Sequence, residues 1–200
     1  MPHERTVVVT GFGPFGEHRV NASWAAVQEM SKLDLPDNLS LIQLEIPVEY
    51  KAVDKLVPFI WEKYKPDLVI HIGVSGIASE LTLEQQGHNN GYDKLDVTQM
   101  VPKTPVCKEN GPDCILSQIN MSSVCEDINS SNCNVKAVVS YCAGRYLCGY
   151  AYYTSLHHNP SCSAFIHVPP LNEPYSAHQL ALGIREALLS MLKQINPNDS

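Results

Sequence analysis

Val135-Lys136-Ala137-Val138-Val139-Ser140-Tyr141-Cys142-Ala143-Gly144-Arg145-Tyr146-Leu147-Cys148 reads as three pieces. Val135 to Ser140 is an apolar, β-branched run of strand length. Ala143-Gly144 is a small-residue break where the chain can turn sharply. A helix follows. Cys148 then falls at a helix N-terminus, where aligned peptide dipoles favour an anion. Further on, Ala164-Phe165-Ile166-His167-Val168 is a second apolar strand with a histidine near its end.

The same alternation of strand and helix runs through the rest of the chain. Thr6 to Thr10 is a short β-branched strand, followed by the glycine-rich turn Gly11 to Gly16. Asn21 caps a helix through about Leu33, with Ala26, Met30 and Leu33 on one face. Ser40 to Ile46 is a strand ended by Pro47. Tyr50 to Tyr64 is a helix with Val53, Val57, Ile60 and Tyr64 on one stripe, and Pro58 is expected to bend or split it. Leu68 to Val74 is a continuous apolar strand of the kind found in parallel sheets. Met121 to Ile128 is a short helix. Ser176 and Gln179 form a capping box for the last helix, with Leu180, Ile184, Ala187, Met191 and Ile195 facing inward.

This pattern predicts one α/β domain over 1–200, with helices on both faces of a mostly parallel sheet and a polar tail at 197–200. The stretch 93–117 has prolines at 102, 105 and 112 and no period. It is long for a plain connection, so it is read as a functional lid or a mobile loop. Sites in such sheets lie at the carboxyl ends of the strands. If the strands are parallel, Gly11 to Gly16, the chain after Val74, Tyr141 to Cys148 and His167 converge on one edge.

Composition narrows the function classes. The chain has 200 residues and a net charge of −7, with few basic clusters, which argues against a nucleic-acid surface. No apolar run approaches a membrane span, and no signal-peptide core precedes the first strand, so a cytoplasmic location is expected. None of the seven cysteines has the C-x-x-C spacing of a zinc or dithiol site. His88, His157 and His158 match no common ligand set and are read as surface residues, so no metal is expected.

The residues that remain suit thiol chemistry. A cysteine in an apolar stretch is more often core than nucleophile. The turn before Cys148 supplies the exposure that a nucleophile needs, although Cys142 lies in the turn itself and competes for the role. His167 is either a satisfied core histidine or the base for that thiol. Such a pair has a third group holding the ring, and Glu84 and Glu80 are both candidates. Gly11-Phe12-Gly13-Pro14-Phe15-Gly16 lacks the Lys-Ser/Thr of a phosphate loop. Its two phenylalanines fit an apolar pocket for a small flat ring, or simply pack on the sheet edge.

Five motifs in order together resemble the pyroglutamyl-peptidase I family of cysteine peptidases, in its animal form. They are Thr10-Gly11-Phe12-Gly13-Pro14-Phe15-Gly16, Asn21-Ala22-Ser23-Trp24, Thr82-Leu83-Glu84 with Asn89, Ala143 to Cys148, and Phe165-Ile166-His167-Val168-Pro169. The resemblance implies an open three-layer α/β/α sandwich, no cofactor and N-terminally pyroglutamylated peptides as partners, in a monomer or weak homo-oligomer. It implies Cys148 as nucleophile, His167 as base and Glu84 as the group orienting His167. Phe12 and Phe15 would sandwich the pyrrolidone ring, with Val48, Tyr146 and Leu147 lining its pocket. Some bacterial members place an arginine near the oxyanion, and the ungapped match is Lys94. Cys142 stands where the family more often has a small or acidic polar residue. The divergent stretch 93–117 is expected to set leaving-peptide preference. Two further readings are a catalytically silent pyroglutamyl-binding or scaffold protein of the same fold, and a phosphorylase-like transferase. For the transferase, only Arg19, Lys94 and Arg145 could serve as phosphate ligands.

Overall fold

The structure is a computed structural model that describes residues 4–16 and 19–195. The expected tail at 197–200 and the residues before the first strand, 1–3, lie outside the described residues. In chain order the strands are β1 (Arg5–Phe12), β2 (Leu39–Ile46), β3 (Leu68–Val74), β4 (Leu81–Glu84), β5 (Gln86–His88), β6 (Cys114–Leu116), β7 (Ala137–Ser140) and β8 (Ser163–Val168). The helices are α1 (Ala22–Glu29), α2 (Tyr50–Tyr64), α3 (Met121–Ser130), α4 (Leu147–His158) and α5 (Ala177–Ile195).

Six strands form the central sheet in the order β2-β1-β3-β8-β4-β7, while β5 and β6 form a separate ribbon. β2, β1, β3 and β8 run parallel. β4 is antiparallel to β8, and β7 is parallel to β4. The sheet is thus mostly parallel, but its last two strands run the other way. The expected convergence of parallel strand ends holds for β1, β3 and β8 and fails for β7. Cys148 reaches the site because the turn after β7 carries the chain back to the ends of β3 and β8.

Side-chain alternation along each strand sorts the sheet into two faces. Val7, Val9, Ile70, Ile72, Leu81, Leu83 and Ile166 point to one face and pack against Ala26, Val124 and Ile184 of α1, α3 and α5. Thr10, His71, Phe165 and His167 point to the other, beside α2 and α4. His71 is fully buried with Nδ1 2.7 Å from Thr10 Oγ1. Burial alone pushes its pKa down to about 3, so it is neutral and adds no charge beneath the site.

Capping follows the sequence. Asn21 Oδ1 accepts from the Ser23 backbone N–H at 3.0 Å. The Ser176–Gln179 box closes in both directions, at 3.0 and 3.3 Å. Pro58 does not split α2, which runs as one helix from Tyr50 to Tyr64. The proline removes one ladder bond, and burial of Val53, Val57 and Ile60 outweighs that loss. Residues 93–117 are not a bare loop either. They contain β6, and Val106 bridges to Asn90. Lys94 O accepts from Tyr50 Oη, Leu95 O from Tyr146 Oη, and Val48 O from the Val97 N–H, all at 3.1–3.3 Å. Buried Asp96 accepts from the N–H of Tyr50, the first residue of α2. The hydrogen-bond partners lie outside the segment, which is why no internal period announced them.

Candidate active site

Register brings the site together. His167 pairs with Gly73 of β3 on one side and Thr82 of β4 on the other, and Glu84 pairs with Phe165. Residues two apart on a strand share a face, so Glu84 lies diagonally across from His167 on the same side. Its Oε1 is 2.8 Å from His167 Nδ1. Glu80, the other candidate from sequence, lies just before β4 and makes no such bond. Tyr152 Oη donates to the Glu84 backbone carbonyl at 2.7 Å and fixes this end of β4.

With Nδ1 occupied, the remaining ring nitrogen is left for Cys148, which lines the same cavity as His167. Burial alone would lower the pKa of His167. The hydrogen bond and charge of Cys148, followed by those of Glu84, outweigh burial and raise it. The arrangement therefore favours the protonated imidazole. Glu84 is buried, with Oε2 unpartnered, so the histidine is the group that compensates its charge.

The thiol sits at the start of α4, whose N-cap residue Tyr146 makes no side-chain capping bond. The first N–H groups of the helix are then free to face a negative charge beside Cys148. Gly73 lies directly beneath the sulfur. A Cβ at this position would be 2.6 Å from Cys148 Sγ and 2.8 Å from Phe165 Cζ, closer than atoms pack. A glycine within an apolar strand is a sequence signal of close approach, and here the approaching group is the thiol. Gly73→Ala is expected to keep the fold and lower kcat/KM by about 100-fold, since a displacement near 1 Å at a reacting atom has that effect. Steady-state kinetics beside a thermal melt would check this, and near-normal kinetics would refute it.

Two cavities meet at Cys148. The smaller, of about 60 Å³, is lined by Phe12, Phe15, Asn21, Val48, Val74, Tyr146, Leu147 and Cys148. All five pocket residues expected from the resemblance are among them. Asn21 and Val74 are additions. Asn21 reads from sequence only as a helix cap, yet its Nδ2 also donates to the Gly13 carbonyl at 2.9 Å and holds the glycine loop. The larger cavity, of about 700 Å³, opens on the other side of the thiol and takes in Glu84 and His167. Lys94 is exposed and lines neither cavity, so the structure does not bring it to the site. The cation near the turn is Arg145, whose Nη1 donates to Cys142 Sγ and the Gly144 carbonyl, each at 3.4 Å. Cys142 is exposed and turned towards that guanidinium. Among the described residues, no group of three or more His, Cys, Asp or Glu side chains could hold a metal ion.

A thiol on a histidine that is held in turn by a buried carboxylate, next to a small apolar pocket, is the arrangement of thiol hydrolases acting on acyl groups. The comparisons with known proteins are more specific. The family model for pyroglutamyl peptidases matches residues 5–191. Human pyroglutamyl-peptidase 1 is 51% identical over 193 residues, covering 95% of this chain and 92% of the human protein. A human pyroglutamyl-peptidase 1-like protein is 38% identical over 84% of this chain and 85% of its own length. Pyroglutamyl peptidase I from Bacillus amyloliquefaciens superposes with a TM-score of 0.81 at 26% identity, over 94% of this chain and 96% of that one. The chain belongs to the pyroglutamyl peptidase family, and so to the cysteine peptidases.

Proposed function

We propose that this protein hydrolyses the bond after an N-terminal pyroglutamyl residue, with Cys148 as nucleophile, His167 as acid and base, and Glu84 orienting and charging His167. The observation that carries the reading is that Cys148, His167 and Glu84 line one cavity, with His167 bonded to Glu84, beside a pocket sized for one small ring. The pyrrolidone ring would enter between Phe12 and Phe15, against Val48, Tyr146 and Leu147. A neutral lactam suits a pocket of apolar walls with few polar groups.

In the first half-reaction the thiolate attacks the carbonyl carbon, and the oxygen takes the negative charge. The backbone N–H groups at the start of α4 face that oxyanion, and one such donor is worth about 3–4 kcal/mol. His167 gives its proton to the amide nitrogen. The C–N bond breaks, the peptide leaves with a free amine, and a thioester remains. The sulfur is then uncharged, which removes the largest influence holding the imidazole protonated. Now neutral, His167 takes a proton from water, the hydroxide equivalent attacks the thioester, and the proton returns to sulfur as pyroglutamate leaves. One histidine thus serves as acid and then base because the charge on Cys148 changes between the two steps.

We place the 94–97 segment as a brace behind the wall of the ring pocket, on the strength of its bonds to Tyr50, Tyr146 and Val48. We place the protein in the cytoplasm, since all seven cysteines are free thiols, which suits a reducing compartment. No described helix is long and apolar enough to cross a membrane. Exposed Leu95, Val97, Met100 and Val101 suit a monomer or a weak homo-oligomer.

The test compares pyroglutamyl and prolyl amides of aminomethylcoumarin, which differ by the lactam carbonyl. Turnover of the pyroglutamyl amide alone is the expected result. Equal turnover of both, or of neither, would overturn the proposal.

A further inference from the structure

The larger cavity has a definite origin in the sheet. β7 is an edge strand, and alternation places Val138 and Ser140 on the face that carries Thr82, Glu84 and His167. α4 packs over β3 and β8, whereas α3 packs against β4 and β7 from the opposite face. The site face of β4 and β7 is therefore left open as the floor of a groove. Its far wall is the turn after β3, where Ile77 is 99% exposed, and Val138 on the floor is 43% exposed. Single exposed apolar side chains are ordinary, but these two line one groove together with Val74, Ala78 and Ala143.

We infer that this groove binds the leaving peptide. It would take an apolar side chain against Ile77 and Val138 and a cationic one towards Glu80, within the first residues after the scissile bond. The inference rests on the peptidase reading above. Three observations carry it. The ring pocket and the groove share Phe15, Val74, Tyr146 and Cys148, so an acyl carbon at the sulfur directs its amide into the groove. The groove holds about 700 Å³ against about 60 Å³ for the ring pocket, room for several side chains. Beyond the Glu84–His167 pair, the two thiols and the Tyr146 phenol, Glu80 is the one further ionisable group among the described residues that line it, and no described lysine or arginine does. The Glu80 carboxylate forms no ion pair among the described residues. Arg145 adds positive charge at the Cys142 side of the groove, so the negative field is local to Glu80, where it favours a cationic side chain over an acidic one. No residue of 93–117 lines the groove, so the expectation that this segment sets leaving-peptide preference gives way to the 77–80 turn and β7.

The test uses two pyroglutamyl peptide amides with leucine after the ring and then either lysine or glutamate, mixed so that their kcat/KM values compete. The wild type should favour the lysine peptide by about three- to fivefold, as an accessible charge pair allows, and Glu80→Lys should reverse the order. With leucine or serine directly after the ring, Ile77→Ser should cut the preference for leucine by up to about tenfold. Each readout is a ratio on one enzyme, so any loss of folded protein cancels. Ratios near one in the wild type, or ratios unmoved by both variants, would overturn the groove. A wild type that hydrolyses neither peptide nor pyroglutamamide, whose leaving group is only ammonia, would instead overturn the peptidase reading.

Discussion

Cys148→Ser should lower kcat/KM on a pyroglutamyl amide by about 10⁴-fold or more, the loss seen when a nucleophile is removed from a coupled catalytic set. The substitution keeps size and hydrogen-bonding reach, so the loss is chemical. A serine hydroxyl does not carry the charge of a thiolate at neutral pH, and the ion pair with His167 cannot form. That gives a second measurement independent of turnover. Cys148 is the foremost of the two partners raising the pKa of His167, and burial opposes both. With the thiolate gone, burial weighs more, and the His167 ring proton followed by NMR should titrate at lower pH in Cys148→Ser than in the wild type. Retained turnover in Cys148→Ser, with loss in Cys142→Ser, would reassign the nucleophile to the turn. The geometry argues against that outcome, since Cys142 faces Arg145.

What could be read from the chain, and what could not, follows from how far apart the deciding partners lie. Cys148 and His167 each sit in a local pattern, a turn before a helix and the end of an apolar strand, and both patterns hold. The choice of Glu84 over Glu80 has no local signature. It depends on Glu84 pairing with Phe165 across two strands, and β4 is only four residues long, too short for its alternation to stand out. The reversed direction of β4 and β7 is hidden for the same reason, because strand direction depends on connections and not on composition. Gly73 was visible as a glycine in a strand, but what approaches it was not. Lys94 entered by ungapped counting through a divergent segment. The structure anchors that segment by its backbone and leaves the lysine side chain outside.

Glu84→Gln should lower kcat by about 10³–10⁴-fold, comparable to replacing the carboxylate of a catalytic triad by its amide. Glutamine fills the same space, and its Oε1 can still accept from Nδ1, so the ring keeps its place while the buried charge disappears. The pH profile separates this role from simple packing. Acylation needs the imidazolium, so the alkaline limb of kcat/KM follows loss of the His167 proton, which the Cys148 and Glu84 contacts raise to about 10 in the folded protein. Because the thiol and imidazole titrate together, the limb belongs to the pair. Glu84 raises this value, so its loss must move the alkaline limb to lower pH. The same sign appears in stability. A folded pKa above the ordinary 6.5 stabilises the protein fully below that pH, and the benefit is lost as pH rises towards about 10. Glu84→Gln should flatten that decline, as read from denaturation midpoints at neutral and alkaline pH. A rate loss with neither the limb nor the stability slope altered would mean that Glu84 only fills space. Movement of both in the stated direction requires its charge, and of the two carboxylates that the sequence left open, only Glu84 lies within hydrogen-bonding distance of His167 to exert it.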